Sequence, residues 1–156
     1  MKVMEGDLIS LAEEGIFDVI IHGCNCLCTM GSGIAKTIKN KYPQAYKVDC
    51  ETTKGDKEKL GSYSAITVGH QSVFVVVNAY TQYSYSRKDI DVDYDAVRKV
   101  FALIKQDFAG KRIGYPLIGA GLAGGDWNVI EAIIQQELDG EDHTLVKFIP
   151  IKLNFK

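Results

Sequence analysis

The sequence contains no apolar run long enough to cross a bilayer; stretches such as Val73 to Val77 end far short of the required length. It has no excess of basic residues, with 18 Lys and Arg against 20 Asp and Glu and a net charge of −2. A sequence-independent grip on nucleic acid needs a dense basic surface, so none is expected. The opening MKVMEGDLIS carries one lysine and no apolar core, so no secretory signal is predicted. There is no internal repeat and no low-complexity segment. At 156 residues the chain has the length of one domain, spanning 1–156, and no second module is expected. The expected compartment is a reducing cytoplasm, in which the four cysteines are thiols. Hydrophobic residues at 46% and charged residues at 24% exclude a disordered chain.

What is present is an alternation of short apolar runs, helical patterns and glycine-rich loops, which predicts an α/β sheet with helices on both faces. Strands are expected at about Lys2 to Glu5, Phe17 to His22, Ser62 to Val68, Val73 to Asn78, Lys111 to Ile118 and His143 to Ile149. The turn GHQS makes the third and fourth a hairpin or near-hairpin. Helices are expected from Asp7 with Gly15 as a stop, over IAKTIKNK with Ile34, Ala35 and Ile38 inward, and from Pro43 to about Cys50. A fourth presents Val97, Val100, Phe101, Ile104 and Phe108 on one face, with Asp91 or Asp93 as its cap. The last starts near Asp126, with Ile130, Ile133, Ile134 and Leu138 inward. AYTQYSYSRKD is a loop.

Two glycine-rich loops, Met30-Gly31-Ser32-Gly33 and Gly119 to Gly125, each lie between a buried strand and a helix. Helix N-termini leave N–H groups unpaired and carry partial positive charge, and glycines let that backbone approach a phosphate. Two such loops facing each other suit a diphosphate; as tight turns they would need no ligand. The second loop matches G-x-G-x-x-G, but a dinucleotide-binding unit needs a second strand ending in an acidic residue. Here that strand ends Phe148-Ile149-Pro150, and only six residues follow. The first loop lacks the Gly-Lys-Ser/Thr of a phosphate-binding P-loop, so ATP hydrolysis is not expected.

The run His22-Gly23-Cys24-Asn25-Cys26-Leu27-Cys28 resembles a metal cluster at first sight. Zinc sites use paired C-x2-C spacing, and Cys50, His70 and His143 supply no second pair, so no metal site is expected. A nucleophilic cysteine would have only His22 as an adjacent base. Asn25, at a strand end before a phosphate-type loop, offers a donor and an acceptor to a sugar hydroxyl, or serves as a turn residue. Asp7 reads as a helix cap, Asp126 likewise, and Trp127 as packing against the sheet. Tyr80, Tyr83 and Tyr85 either cover a ligand or pack back on the core.

Taken in order, Gly6-Asp7-Leu8, IIHGCNC, MGSGIAKTI with KYP, and IGAGLAGGDW resemble the macro domain family, which binds ADP-ribose. The resemblance spans nearly the whole chain. HGCNC and MGSGIA look closest to the ADP-ribose 1''-phosphate phosphatase branch and the terminal ADP-ribose protein glycohydrolase branch. It implies a three-layer α/β/α macro domain with a central mixed sheet of about six strands. By similarity Asp7 accepts from the adenine amino group, with Gly6 and Leu8 alongside. Asn25 bonds the distal ribose beside Gly23 and Cys24. Met30, Gly31, Ser32, Gly33, Ile34 and Ala35 form one phosphate loop, and Ile118, Gly119, Ala120, Gly121, Leu122, Ala123 and Gly124 the other. His22 matches a histidine implicated in phosphatase catalysis, and its ordinary pKa suits proton transfer near neutral pH. His22 and Asn25 are therefore the expected catalytic pair. The glycohydrolase lysine after Val77-Asn78-Ala79-Tyr80 is absent, and Ala123 stands where that branch has an aspartate. The implied activity is hydrolysis of ADP-ribose 1''-phosphate to ADP-ribose and phosphate. The alternatives are a non-catalytic ADP-ribose reader and a hydrolase acting on ADP-ribosylated proteins. No cofactor and no membrane partner are implied.

Overall fold

In a computed structural model, described over residues 1–85 and 90–150, six strands form one mixed sheet in the order β1-β6-β5-β2-β4-β3. The end of the tyrosine-rich loop, 86–89, and the segment after Pro150 lie outside the described residues. In chain order the elements are β1 (Lys2–Gly6), α1 (Leu8–Glu13), β2 (Val19–Cys24), α2 (Gly33–Lys41) and α3 (Pro43–Cys50). A short 3-10 turn (Lys57–Lys59), β3 (Tyr63–Val68), β4 (Phe74–Tyr80), α4 (Tyr94–Asp107), β5 (Ile113–Tyr115), α5 (Trp127–Glu137) and β6 (His143–Phe148) complete the set. Pairings are parallel from β1 across to β4; only β3 runs antiparallel, closing the expected hairpin with β4.

The strands separate two apolar layers by their period of two. Val19 and Ile21 of β2 and Val77 and Ala79 of β4 pack with Val97, Val100, Phe101 and Ile104 of α4 and Ile130, Ile133 and Ile134 of α5. Ile20 of β2 and Phe74 and Val76 of β4 pack with Leu8, Ile9 and Ala12 of α1, Ile38 of α2 and Ala45 of α3. The result is helix on sheet on helix, the three-layer arrangement expected from the alternating pattern.

Local chemistry sets the element ends. Asp7, Asp93 and Asp126 each cap a helix by accepting from a backbone N–H, of Ser10, Ala96 and Asn128 respectively. Pro43 opens α3 where a missing N–H costs nothing. Three strands end two or more residues away from expectation, β4 running on to Tyr80 where a loop was expected from Ala79. β5 covers Ile113–Tyr115 rather than Lys111 to Ile118, because Pro116 offers no N–H to continue the ladder. β2 begins two residues later and runs on to Cys24, so His22 lies inside the strand. Phe17 remains buried, its ring lying where a side chain on Gly114 would have to sit. In α2 Ile38 is buried, whereas Ile34 and Ala35 are only partly so, because their turn faces a cleft.

Among the described residues no helix is long and apolar enough to cross a membrane.

Candidate functional site

Parallel strands deliver their following loops to one edge of the sheet, where ligands of α/β folds bind. Read across that edge, the sheet order places Asp7 after β1, then Phe148 at the end of β6, the loop after β5, Asn25 after β2, and Gln82 after β4. These span four strand spacings of about 4.8 Å, ~19 Å in all. A cleft of about 670 Å³ runs along this edge, and its walls include the two glycine loops.

Of the residues predicted from sequence, Gly23, Cys24, Asn25, Gly31, Ser32, Gly33, Ile34, Ala35, Ile118, Gly119, Gly121, Leu122 and Ala123 line the cleft together. Gly6, Asp7, Leu8, Met30, Ala120, Gly124 and His22 are not in its lining. Leu8 and Met30 point into the core beneath α1 and α2. Asp7 sits next to the cleft's end, since Gly6 pairs in register with the lining residue Phe148. One oxygen of its carboxylate caps α1 at 2.9 Å from Ser10 N.

The first glycine loop feeds α2. Ser32 at the N-cap is extended and makes no side-chain capping bond. The N–H groups of Gly33, Ile34 and Ala35 open the helix, where no intrahelical acceptor exists. In the second loop the N–H groups of Gly121, Leu122 and Ala123 meet no backbone acceptor among the described residues. Two sets of donors with no backbone acceptor among the described residues therefore border one cleft.

Glycine chemistry sorts the loop positions. Gly119 has φ +73°, and a Cβ there would lie 2.7 Å from Val92 Cγ2. Fold geometry alone explains that glycine. Gly31 and Gly121 have no left-handed φ, and a Cβ on either would meet nothing within 4 Å. Neither backbone nor packing demands a glycine there; both border the open cleft.

The expected acid–base role of His22 has no geometric footing. The ring is 1% exposed, does not line the cleft, and holds Asn78 Oδ1 at 2.6 Å through Nε2. Burial pushes its pKa down to about 4, only partly countered by Asn78. Strand alternation puts His22 on the face covered by α1 to α3, with Cys24 Sγ 3.5 Å from its ring. Burial also raises the Cys24 thiol well above its usual range, which disfavours the nucleophilic thiolate.

Asn25 lines the cleft, yet its amide is committed within its own loop. Nδ2 donates to Thr29 O (3.0 Å) and Thr29 Oγ1 (2.9 Å), and Oδ1 accepts from Leu27 N (2.9 Å). All four cysteines are free, and among the described residues no group of three or more His, Cys, Asp or Glu side chains could hold a metal.

Of the three tyrosines, Tyr80 is buried with its hydroxyl on Asp49, Tyr83 donates to Gly55 O, and Tyr85 lines the cleft. Sequence reasoning missed Thr29, Gln82, Pro116, Leu117, Val146 and Phe148. Phe148 is 68% exposed at the carboxyl end of a parallel strand, a position that the edge rule itself marks. The described lining carries no carboxylate, imidazole or ammonium group.

The macro domain family model matches residues 21–134. An uncharacterised 17.5 kDa protein of Enterobacteria phage T4 is 31% identical over 97% of this chain and 98% of its own. An ADP-ribose 1''-phosphate phosphatase of Debaryomyces hansenii is 24% identical over 87% of this chain and 93% of its own. Among solved structures, Thermosipho africanus DarTG in complex with ADP-ribose superposes with a TM-score of 0.69 at 16% identity, over 100% of this chain and 43% of that one. The matched segment runs from within β2 to within α5 and includes both glycine loops that border the cleft: the chain belongs to the macro domain family.

Proposed function

We propose that the cleft binds ADP-ribose and that the protein hydrolyses ADP-ribose 1''-phosphate to ADP-ribose and phosphate. The observation that carries the binding reading is the pair of bare glycines, Gly31 and Gly121, set on opposing loops among N–H groups with no backbone acceptor among the described residues. Backbone donors without cations suit a diphosphate that must be released again. The adenine end then falls at Asp7 and Phe148. The second oxygen of the Asp7 carboxylate accepts from an exocyclic amine, and the Phe148 ring offers a stacking surface. The distal ribose falls beside Asn25 and Thr29. The order adenine, diphosphate, ribose matches the order of loops along the sheet edge.

The hydrolytic half is supported by the name of the Debaryomyces relative and by that same order. A water oxygen bonds to phosphorus, the bond from phosphorus to the C1'' oxygen breaks, and that oxygen leaves with a proton. The described lining offers no carboxylate, imidazole or ammonium group to supply the proton, and in this reading it comes from the substrate's own phosphate monoanion. The protein's part is to hold the diphosphate and orient the ribose. Phosphorus NMR on ADP-ribose 1''-phosphate tests both halves. Release of inorganic phosphate is expected. Shifted diphosphate resonances without turnover would leave a reader of ADP-ribose, and unshifted resonances would remove the binding reading.

A further inference from the structure

Besides Asn25, Gln82 carries the one side-chain amide in the described lining. Its backbone is pinned from both sides. Thr81 N donates to Cys24 O, Cys26 N donates to Tyr83 O, and Gln82 itself bridges to Val92. These bonds hold it directly beside Asn25, at the end of the cleft away from Asp7. Its side-chain Nε2 donates to Ser84 O at 2.7 Å. That bond fixes which way the amide faces, because the reversed amide would set two oxygens against each other. Oε1 accepts no hydrogen bond among the described residues, and one N–H of the amide is also uncommitted.

Asn25, by contrast, has both of its polar atoms engaged with Thr29 and Leu27. The neighbour with an acceptor to spare is Gln82. We propose that Gln82 is a further specificity residue that reads the distal sugar, its Oε1 accepting from a ribose hydroxyl beside Asn25. An acceptor oxygen selects for hydroxyl donors, so this end of the cleft discriminates a diphosphate that bears a sugar from one that does not. The proposal rests on reading the cleft as an ADP-ribose site.

The test is calorimetric titration of the wild type, Gln82→Leu and Gln82→Met with both ADP-ribose and ADP. ADP shares the adenine and diphosphate but has no distal sugar. Methionine keeps the length of the side chain and removes only its polar atoms. The expected result is ADP-ribose binding weakened about five- to tenfold in both variants, the size of one lost hydrogen bond, with ADP affinity unchanged. Equal weakening of both ligands would overturn the proposal and make Gln82 a strut for the loop. Unchanged affinity for both would overturn it as well. If the wild type bound neither ligand, the reading of the cleft would fall, and this proposal with it.

Discussion

His22 donates from Nε2 to Asn78 Oδ1 across 2.6 Å in the buried layer between the sheet and α3. The direction of that bond is fixed by Asn78, whose Nδ2 is spent on Ala45 O at 3.0 Å and Ser64 Oγ at 3.1 Å. The imidazole is therefore the neutral Nε2–H tautomer. A protonated ring would bring a charge into a site from which water is excluded, and its pKa falls to about 4.

This makes His22 a pH-dependent stabiliser. Its folded pKa lies below its unfolded value of about 6.5, so the unfolded chain binds more protons between the two. The contribution is fully present above pH 6.5 and is lost as pH falls toward 4. A gap of that size is worth on the order of 3 kcal/mol. His143, also lowered by burial, acts in the same direction. Urea unfolding at pH 7 and pH 4 should show a steeper loss for the wild type than for His22→Gln, and equal losses would contradict the burial argument.

Gly119 and Gly121 sit two residues apart in one loop, yet their substitutions should differ in kind. Gly119→Ala forces a side chain into a left-handed conformation and against Val92, and should cost about 2 kcal/mol or more in stability. Gly121→Glu meets no such obstacle. It should unfold at the wild-type temperature and lose ADP-ribose binding, because its carboxylate enters the proposed diphosphate site. Thermal unfolding and calorimetry on both variants separate the two effects. Retained affinity in Gly121→Glu would refute the diphosphate placement.

The sequence made the layers and the loops legible because their signals are local. Helical spacing found the inward faces of α4 and α5, Pro43 marked the start of α3, and three aspartates marked caps that the structure contains. Orientation across the sheet was not legible. Whether His22 faces ligand or core depends on where β2 begins, and one residue of register decides it. Phe148 and Gln82 enter the cleft only because β6 lies between β1 and β5, and β4 lies beside β2. That order is a long-range property, invisible to periodicity. Asn25 was placed at the cleft, but the commitment of its amide to Thr29 is a matter of side-chain geometry that no motif encodes.

Asp7 combines two tasks that one substitution can separate. Asparagine caps a helix about as well as aspartate, so Asp7→Asn should leave the unfolding temperature of the protein nearly unchanged. It also replaces a carboxylate oxygen with an amide donor, which cannot accept from the adenine amine. Affinity for ADP-ribose should fall about tenfold, the size of a charge-assisted hydrogen bond. The hypoxanthine analogue, which lacks that amine, should lose little. Phe148→Ala should weaken both analogues alike, by roughly tenfold, since stacking does not distinguish the two bases. If Asp7→Asn weakened both ligands equally, its role would be confined to capping.

The pH dependence of turnover separates catalysis by the substrate's own proton from catalysis by an imidazole. A phosphate monoester loses its second proton near pH 6. If the monoanion hands that proton to the departing ribose oxygen, kcat on ADP-ribose 1''-phosphate is level below about pH 6 and falls roughly tenfold per unit well above it. His22→Gln should follow the same curve, because the buried ring touches Asn78 and Cys24 rather than the cleft. An acid–base histidine predicts something different: a profile shaped by an enzyme group, and a variant slowed at least a hundredfold with its ADP-ribose affinity intact. Measuring kcat across pH 5 to 9 for both proteins, with binding measured in parallel, decides the matter. A large drop in kcat alone for His22→Gln would mean that the ring reaches the substrate through a rearrangement of β2 and that its burial is only the resting arrangement.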